Sequence, residues 1–218
     1  VHILIISSIQ KLDLFIKKGP TDVINNYRPI SLLNTFNKVF ENILYTRLNN
    51  FLSANNILFK NQHGFRQNRS TFHSIYTLVH NIRNSFEEGS YCVTVFCDLS
   101  KAFDSISHEI LTNKLEKYGV RGLPLQLFTS YLSGRTQSVY LDDQDSTVIS
   151  NKLNIKLGVP QGSILGPLLF LIYINDLPNC TDLCKFILFA DDTSLIIKGK
   201  SFEEVSFKLN QSMIAVSN

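Results

Sequence analysis

Two periodicities of apolar residues alternate along this chain, and together they predict a protein that mixes helices with strands. Some segments repeat apolar residues at helical spacing, whereas others are the β-branched and aromatic runs typical of strands. Helices are expected over residues 31–54, 71–86, 108–118, 124–132 and 201–216, and strands over residues 93–98, 135–141 and 146–157, with residues 1–18 extended.

One pair of acids stands between two apolar runs. Asp191 and Asp192 separate residues 186–188 from residues 195–197, which predicts a β-hairpin with both acids at its tip. A divalent cation would offset the repulsion between two neighbouring carboxylates beside buried strands. Mg²⁺ binds carboxylate oxygens and substrate phosphates, so this pair suits phosphoryl transfer. The alternative is a solvated turn, which we expect for Asp142 and Asp143 because no comparable apolar break surrounds them.

A third acid ends another predicted strand. The run 93–98 is β-branched and aromatic, which indicates a buried strand that delivers Asp98 at its end. Two-metal nucleotidyl transfer needs carboxylates from separate strands around two ions roughly 3.5–4 Å apart. Asp98, Asp191 and Asp192 supply such a set.

A glycine-rich turn lies between these acids in the chain. Gly158 and Gly162 allow the backbone to approach a ligand closely, and Pro160 restricts the turn. The apolar stretch after it, residues 168–177, predicts a buried helix. An ordinary strand-to-helix turn is the alternative.

Five sequence blocks in fixed order resemble the reverse transcriptase of non-LTR retrotransposons, nearest the jockey and CR1 type. The resemblance extends from about Phe15 to the end of the chain. The blocks are Asn-Tyr-Arg-Pro-Ile-Ser (26–31), Gln-His-Gly-Phe-Arg (62–66), Phe-Cys-Asp-Leu-Ser-Lys-Ala-Phe-Asp (96–104), Gly-Val-Pro-Gln-Gly-Ser (158–163) and Phe-Ala-Asp-Asp (189–192).

The resemblance implies a role for each matching residue. Asp98, Asp191 and Asp192 match the family's metal-binding carboxylates, and the metal is expected to be two Mg²⁺ ions, for which Mn²⁺ can substitute. Phe103 matches the bulky side chain that excludes a ribose 2′-hydroxyl. The residues matched to contacts with the incoming deoxynucleotide and its template base are Arg28, Lys17 or Lys18, Pro160, Gln161 and Gly162.

The block 62–71 resembles the segment that these enzymes place near the template. Arg66 and Arg69 stand close to Phe65, and basic side chains with an aromatic residue suit contacts along a nucleic-acid strand. The same arginines are also compatible with a solvated loop.

Composition sets wider bounds on function. A net charge of +3 permits nucleic-acid binding without demonstrating it. Four cysteines do not form a zinc-binding pattern, which indicates reduced thiols and an intracellular location, in the nucleus and cytoplasm. The longest apolar run is too short to cross a bilayer, so no membrane association is expected.

These observations predict an α+β fold with the fingers and palm of a right-hand polymerase. Residues 1–92 are expected to form a fingers-like region with the template-side block. Residues 93–218 are expected to form a palm whose antiparallel sheet carries helices on one face. We expect the chain to be a fragment without the thumb and endonuclease regions.

The predicted activity is addition of deoxynucleotides to a DNA primer 3′-hydroxyl on an RNA template. One alternative is a catalytically incompetent, truncated palm that binds only nucleic acid or a partner. A second is a two-metal nuclease or cyclase, which the blocks 27–31 and 158–166 disfavour. The sequence leaves the oligomeric state open.

Overall fold

The computed structural model describes residues 9–16, 20, 23, 26–99, 101–143 and 146–217. The chain divides into two compact units that interleave along the sequence. The first comprises the described parts of Val1–Ala54 and Phe103–Tyr173, and the second those of Asn55–Ala102 and Ile174–Asn218.

Apart from a strand over Tyr27–Leu32 and a 3-10 turn, which the pattern did not predict, the described helices and strands follow in the expected order. They are β1 (Ile9–Ile16), β2 (Tyr27–Leu32), α1 (Thr35–Ala54), α2 (Thr71–Glu87), β3 (Tyr91–Asp98), α3 (His108–Lys117), α4 (Leu123–Leu132), β4 (Thr136–Asp143), β5 (Ser146–Ile149), β6 (Leu153–Asn154), α5 (Gly166–Ile174), a 3-10 turn (Leu177–Cys180), β7 (Lys185–Phe189), β8 (Asp192–Gly199) and α6 (Phe202–Ser217).

The first unit is organised around a mixed sheet in the order β2-β1-β4-β5, with β6 also paired to β4. Strand β1 runs antiparallel to β2 and parallel to β4. A parallel pair cannot be closed by a tight hairpin, so β1 and β4 are brought together by long-range folding.

Helix α5 is buried on nearly every side. Its residues Leu168 to Ile172 are all at most 2% exposed, as expected for a helix that is apolar all round. The predicted buried helix after the glycine-rich turn is therefore confirmed. Among the described helices, none combines the length and apolar character needed to span a bilayer.

The second unit contains a fully antiparallel sheet in the order β3-β8-β7. Alternate residues of β7 and β8 form a core on which α6 packs through Val205. Ser201 caps the start of α6, because its hydroxyl accepts a hydrogen bond from the Glu204 N–H at 3.2 Å. The α+β class with an antiparallel sheet is thus confirmed.

Several sequence predictions need correction. Helix α1 begins at Thr35, because residues 31 and 32 belong to β2. The predicted strand over 146–157 is two short strands, and Asp142 and Asp143 end strand β4, where they pair with β5, instead of forming the turn.

The apolar residues at helical spacing in α2 are not all buried. Ile75 and Val79 are exposed, whereas the buried residue of this helix is Ser85. Strand β3 is not buried as predicted: its residues are half-buried or exposed, and Phe96 is 70% exposed. Val93, Val95 and Cys97 pack against the core of this unit, whereas Phe96 lies on the other face of the strand.

Candidate active site

The acidic pair lies at the tip of the β7–β8 hairpin, as predicted. Phe189 pairs with Asp192, so Ala190 and Asp191 form a two-residue connection. The flanking strands are buried from Phe186 to Leu188 and from Leu195 to Ile197. Asp191 is half-buried and Asp192 is exposed.

Strand pairing brings the third acid to the same place. Asp98, the last residue of β3, lies directly opposite Asp192 in the antiparallel register, and both residues are exposed. Directly opposite residues of an antiparallel pair have Cβ atoms about 4.5–5.5 Å apart. Two acids that are far apart in sequence therefore face each other, with Asp191 next to Asp192 in the chain.

The chemistry of these three side chains suits a hard divalent cation. Carboxylate oxygens are the ligands that Mg²⁺ and Mn²⁺ prefer, and exposed carboxylates leave room for water and phosphate ligands. Within the part of the chain that the structure describes, no three His, Cys, Asp or Glu side chains form a ready-made metal cluster. The acids thus fit the ions in kind, while their role as ligands stays a prediction.

The glycine-rich turn is joined to two other predicted site segments in the first unit. The Val159 N–H donates to the Phe103 carbonyl at 2.9 Å, and the Ser31 N–H donates to the Gln161 carbonyl at 2.9 Å. These backbone bonds join the turn to the segment of Phe103 and to β2, the strand of Arg28. The structure thus brings together three of the blocks that were recognised separately in the sequence.

Two positions of this turn favour glycine for a clear structural reason. Gly158 has φ +85°, and a Cβ there would lie 2.9 Å from the backbone of Asp104. Gly162 has φ +92° and a Cβ would approach the Ile30 side chain at 3.2 Å. Both positions favour glycine because side chains rarely adopt a positive φ.

A cavity of about 450 Å³ opens beside the turn within the first unit. The amide of Gln161 donates to the Asp104 carboxylate at 2.9 Å. Asp104 is the last residue of the block 96–104, and the family resemblance implies no role for it. The cavity lining includes Ser31, Asp104, Arg135, Gly158, Pro160 and Gln161.

Phe103 is half-buried in the first unit. Its ring centroid lies 4.9 Å from that of the buried Phe170, with the planes at 28°. This contact fixes one side of the ring. A stacked aromatic side chain is both a packing residue and a rigid wall, so its part in sugar selection stays a prediction.

Of the basic residues predicted to contact the triphosphate, only Arg28 lies in the described part of the chain. Arg28 lies in β2, where its backbone pairs with Phe15. Lys17 and Lys18 lie outside the described residues. Their contacts with a nucleotide stay predictions.

Sequence reasoning missed Glu41, which supports the end of the glycine-rich turn. Its carboxylate is 1% exposed and accepts hydrogen bonds from the Ile164 N–H at 2.8 Å, the Leu165 N–H at 3.4 Å and the Tyr131 hydroxyl at 2.6 Å. Arg135 lies over the Tyr131 ring at 5.0 Å. Burial, followed by the charge of Glu41, raises the pKa of Tyr131 far above its usual value.

The signal for Glu41 was present in the helical pattern. The residues of α1 that are buried are Glu41, Leu44, Leu48 and Leu52, a single stripe at helical spacing. A charged residue in phase with a buried apolar stripe indicates a paired or hydrogen-bonded carboxylate.

The template-side block of the second unit has a more structural character than predicted. The Arg66 guanidinium donates to the carbonyls of Phe59 and Gln62, at 2.9 and 3.4 Å, whereas Arg69 is exposed. His63 is buried, and its ring stacks on that of His73 at 6.2 Å. Burial lowers the pKa of His63, and the nearby charges of Arg69, His73 and Arg66 lower it further.

Comparison with known families agrees with this arrangement. Residues 16–217 match the family described as reverse transcriptase (RNA-dependent DNA polymerase). The chain belongs to this family. The resemblance recognised from the five sequence blocks is thus confirmed.

Curated relatives of this reverse transcriptase domain come from mobile elements. The probable RNA-directed DNA polymerase from transposon BS of Drosophila melanogaster is 33% identical over 210 residues, which cover 91% of this chain and 22% of that protein. The RNA-directed DNA polymerase from mobile element jockey of the same species is 33% identical over 194 residues, which cover 84% and 20%. The chain therefore spans about a fifth of these relatives.

Solved structures of the same fold include yeast telomerases. A truncated apo telomerase from Candida tropicalis aligns with a TM-score of 0.57 at 15% identity, covering 97% of this chain and 48% of that one. A telomerase from Candida albicans aligns with a TM-score of 0.60 at 13% identity, covering 96% and 40%. At such identities the likeness concerns the fold alone.

Proposed function

We propose that this reverse transcriptase domain adds deoxynucleotides to a DNA primer 3′-hydroxyl under the direction of an RNA template. The observation that carries the proposal is the register of the three-stranded sheet, in which Asp98 faces Asp192 beside Asp191. Family membership supports the reaction type.

In this proposal the three carboxylates hold two Mg²⁺ ions. When bound, the ions supply activation of the attacking hydroxyl and neutralisation of the charge that develops on the phosphates. The protein contributes position: the strands deliver the carboxylates, and little covalent chemistry is required of other side chains.

The first unit is proposed to select the nucleotide. Phe103 excludes the ribose 2′-hydroxyl, Gln161 and Gly162 contact the deoxynucleotide, and Pro160 contacts the template base. Arg28 and Lys17 bind the triphosphate, for which a guanidinium fork is well suited. The backbone bonds between the turn, Phe103 and β2 support this grouping.

The wider assignments rest on the same family likeness. We propose that the three-stranded sheet with its helices is the palm and that residues 1–92 contribute fingers. Arg66 and Arg69 are proposed to lie near the template. The nucleus and cytoplasm are the proposed location of the chain.

Primer extension tests the proposal directly. The chain is incubated with poly(rA), oligo(dT) and dTTP, with Mg²⁺ and Mn²⁺ compared, and the products are resolved by length. Metal-dependent extension that requires Asp191 is the expected result. Retention of template–primer binding without extension in either metal would favour the alternative of a non-catalytic, nucleic-acid-binding domain.

A further inference from the structure

The turn that carries the candidate metal ligands contains a strained residue. Ala190, which directly precedes Asp191, has φ +56°. Left-handed backbone is unfavourable for a residue with a Cβ, and it persists only where the surroundings impose it. Ala190 is 5% exposed, so its backbone polar groups also need partners inside the protein.

One side chain meets both of those needs. The Gln62 amide oxygen accepts a hydrogen bond from the Ala190 N–H at 3.0 Å, and the Gln62 amide nitrogen donates to the Ala190 carbonyl at 3.3 Å. Gln62 is 2% exposed, so water does not compete for these bonds. The amide therefore replaces the backbone pairing that Ala190 lacks at the hairpin tip.

The chain around Gln62 is shaped to receive the turn. The Gly64 N–H donates to the same Gln62 oxygen at 2.8 Å. A Cβ at Gly64 would overlap the Ala190 backbone, so only glycine fits there without displacement. The His63 N–H donates to the Leu188 carbonyl, and the Leu188 N–H donates to the Asn61 carbonyl, which joins this segment to β7.

The receiving segment is itself held in place. The Phe59 N–H donates to the Asn175 side chain at 2.7 Å, and the Asn175 amide donates to the Ile57 carbonyl at 3.0 Å. Arg66 binds the carbonyls of Phe59 and Gln62. These contacts explain why Arg66 is turned toward its own backbone.

The chemistry of the contact restricts the residue type. Ala190 presents a donor and an acceptor together, and an amide supplies the matching acceptor and donor. An ionised carboxylate cannot donate to the carbonyl, and it would add a negative charge beside Asp191. An ammonium or guanidinium group cannot accept from the N–H.

We infer that Gln62 is a positioning residue for this reverse transcriptase, which with Gly64 sets the conformation of the Ala190–Asp191 turn and thereby the placement of the metal-binding carboxylates. The block that resembles a template-side segment thus acts on the acids through the backbone. This inference rests on the proposed metal-binding role of Asp191 and Asp192.

Gln62→Met tests the inference, because it keeps the length and shape of the side chain but removes both hydrogen-bonding groups. Hydrogen exchange at the Ala190 amide is measured together with Mn²⁺ affinity in the presence of dTTP, the latter from the electron paramagnetic resonance signal of free Mn²⁺. We expect exchange at Ala190 to accelerate, and the Mn²⁺ dissociation constant to rise, by at least about tenfold each.

Asn61→Ala is the matched control. The Asn61 amide donates to the Phe186 carbonyl of the same strand at 3.3 Å, well away from the tip. Its loss should lower global stability without changing Ala190 exchange or Mn²⁺ affinity by more than about twofold. Equal effects of the two variants on both readouts would overturn the inference.

Two further measurements keep the test decisive. Thermal unfolding of each variant identifies exchange that arises from global opening alone. Gln62→Glu keeps the acceptor and should recover part of the Ala190 protection that Gln62→Met loses; no recovery would contradict the inference. A wild-type chain that neither binds Mn²⁺ nor extends primers would refute the proposed function, and Ala190 exchange would then decide the positioning role alone.

Discussion

Two turns of this molecule are each held by one buried polar side chain, and the two side chains differ in charge. In the second unit, the neutral amide of Gln62 bonds to both backbone polar groups of Ala190. In the first unit, the carboxylate of Glu41 accepts from Ile164 and Leu165 at the end of the glycine-rich turn.

The difference follows from what each turn presents. The end of the glycine-rich turn directs two N–H donors at Glu41, and the Tyr131 hydroxyl is a third donor, so a carboxylate is a strong partner. The hairpin tip offers a donor and an acceptor, and it carries two acids. A neutral amide satisfies both groups without adding a negative charge.

The largest effect on activity is expected from the acids at the hairpin tip. Asp98→Asn or Asp191→Asn should reduce metal-dependent primer extension by on the order of 10³-fold, or about 4 kcal/mol, because a charged ligand is lost. Circular dichroism should show an intact fold. Asp142→Asn is the control from the acidic pair in β4 and should be silent; equal losses at Asp142 and Asp191 would refute the assignment.

The second prediction concerns Glu41, the charged one of the two buried side chains. Glu41→Ala should lower the free energy of unfolding by about 2–4 kcal/mol, since the buried Tyr131 hydroxyl and Ile164 N–H lose their partner. Denaturant unfolding measures the change. The exposed Glu116→Ala should stay within about 0.5 kcal/mol of wild type. A loss at Glu41 no larger than at Glu116 would show that its hydrogen bonds are dispensable.

Phe103 is linked to the glycine-rich turn, because the Val159 N–H of that turn donates to its carbonyl. Phe103→Ala should reduce the preference for deoxynucleotides over ribonucleotides by about 1–3 kcal/mol, because the steric wall is removed. The ratio of kcat/KM for dTTP and UTP measures it. Phe103→Tyr keeps the ring and should keep the preference. An unchanged ratio in the alanine variant would indicate that Phe103 serves packing with Phe170 only.

Tyr131, which donates to Glu41, should make the free energy of unfolding depend on pH in the alkaline range. Because the pKa of Tyr131 is raised in the folded state from its usual 10.0, the unfolded chain loses this proton first as the pH rises. The contribution of Tyr131 to the free energy of unfolding is fully present below pH 10.0. Above this pH the free energy of unfolding should fall by up to about 1.4 kcal/mol per pH unit. Tyr131→Phe should show a shallower alkaline slope in denaturant unfolding; identical slopes would contradict the prediction.

The smallest effect is expected at acidic pH and comes from His63, in the segment beside the hairpin tip. The pKa of His63 is lowered from 6.5 in the folded state, mainly by burial, so the unfolded chain binds this proton more readily. Stability from this group is present above pH 6.5 and is lost as the pH falls below it. His63→Phe should flatten this slope, whereas His80→Gln on the exposed face of α2 should leave it unchanged.

Local pattern was sufficient for part of the candidate site. The hairpin of Asp191 and Asp192 was predicted because two apolar runs around a short polar break are neighbours in sequence. Helix α5 was predicted because it is apolar on every side. The predicted burial of β3 was wrong, because only the face with Val93, Val95 and Cys97 packs against the core.

The order of the blocks, the family resemblance and the residue types available for metal and nucleotide binding could all be predicted from the amino-acid sequence. The polar side chains that support these residues became evident only in the folded structure. Glu41 meets Ile164 across 123 positions, and Gln62 meets Ala190 across 128. Such contacts leave no local periodicity, because a buried polar residue finds its partner through the packing of distant elements.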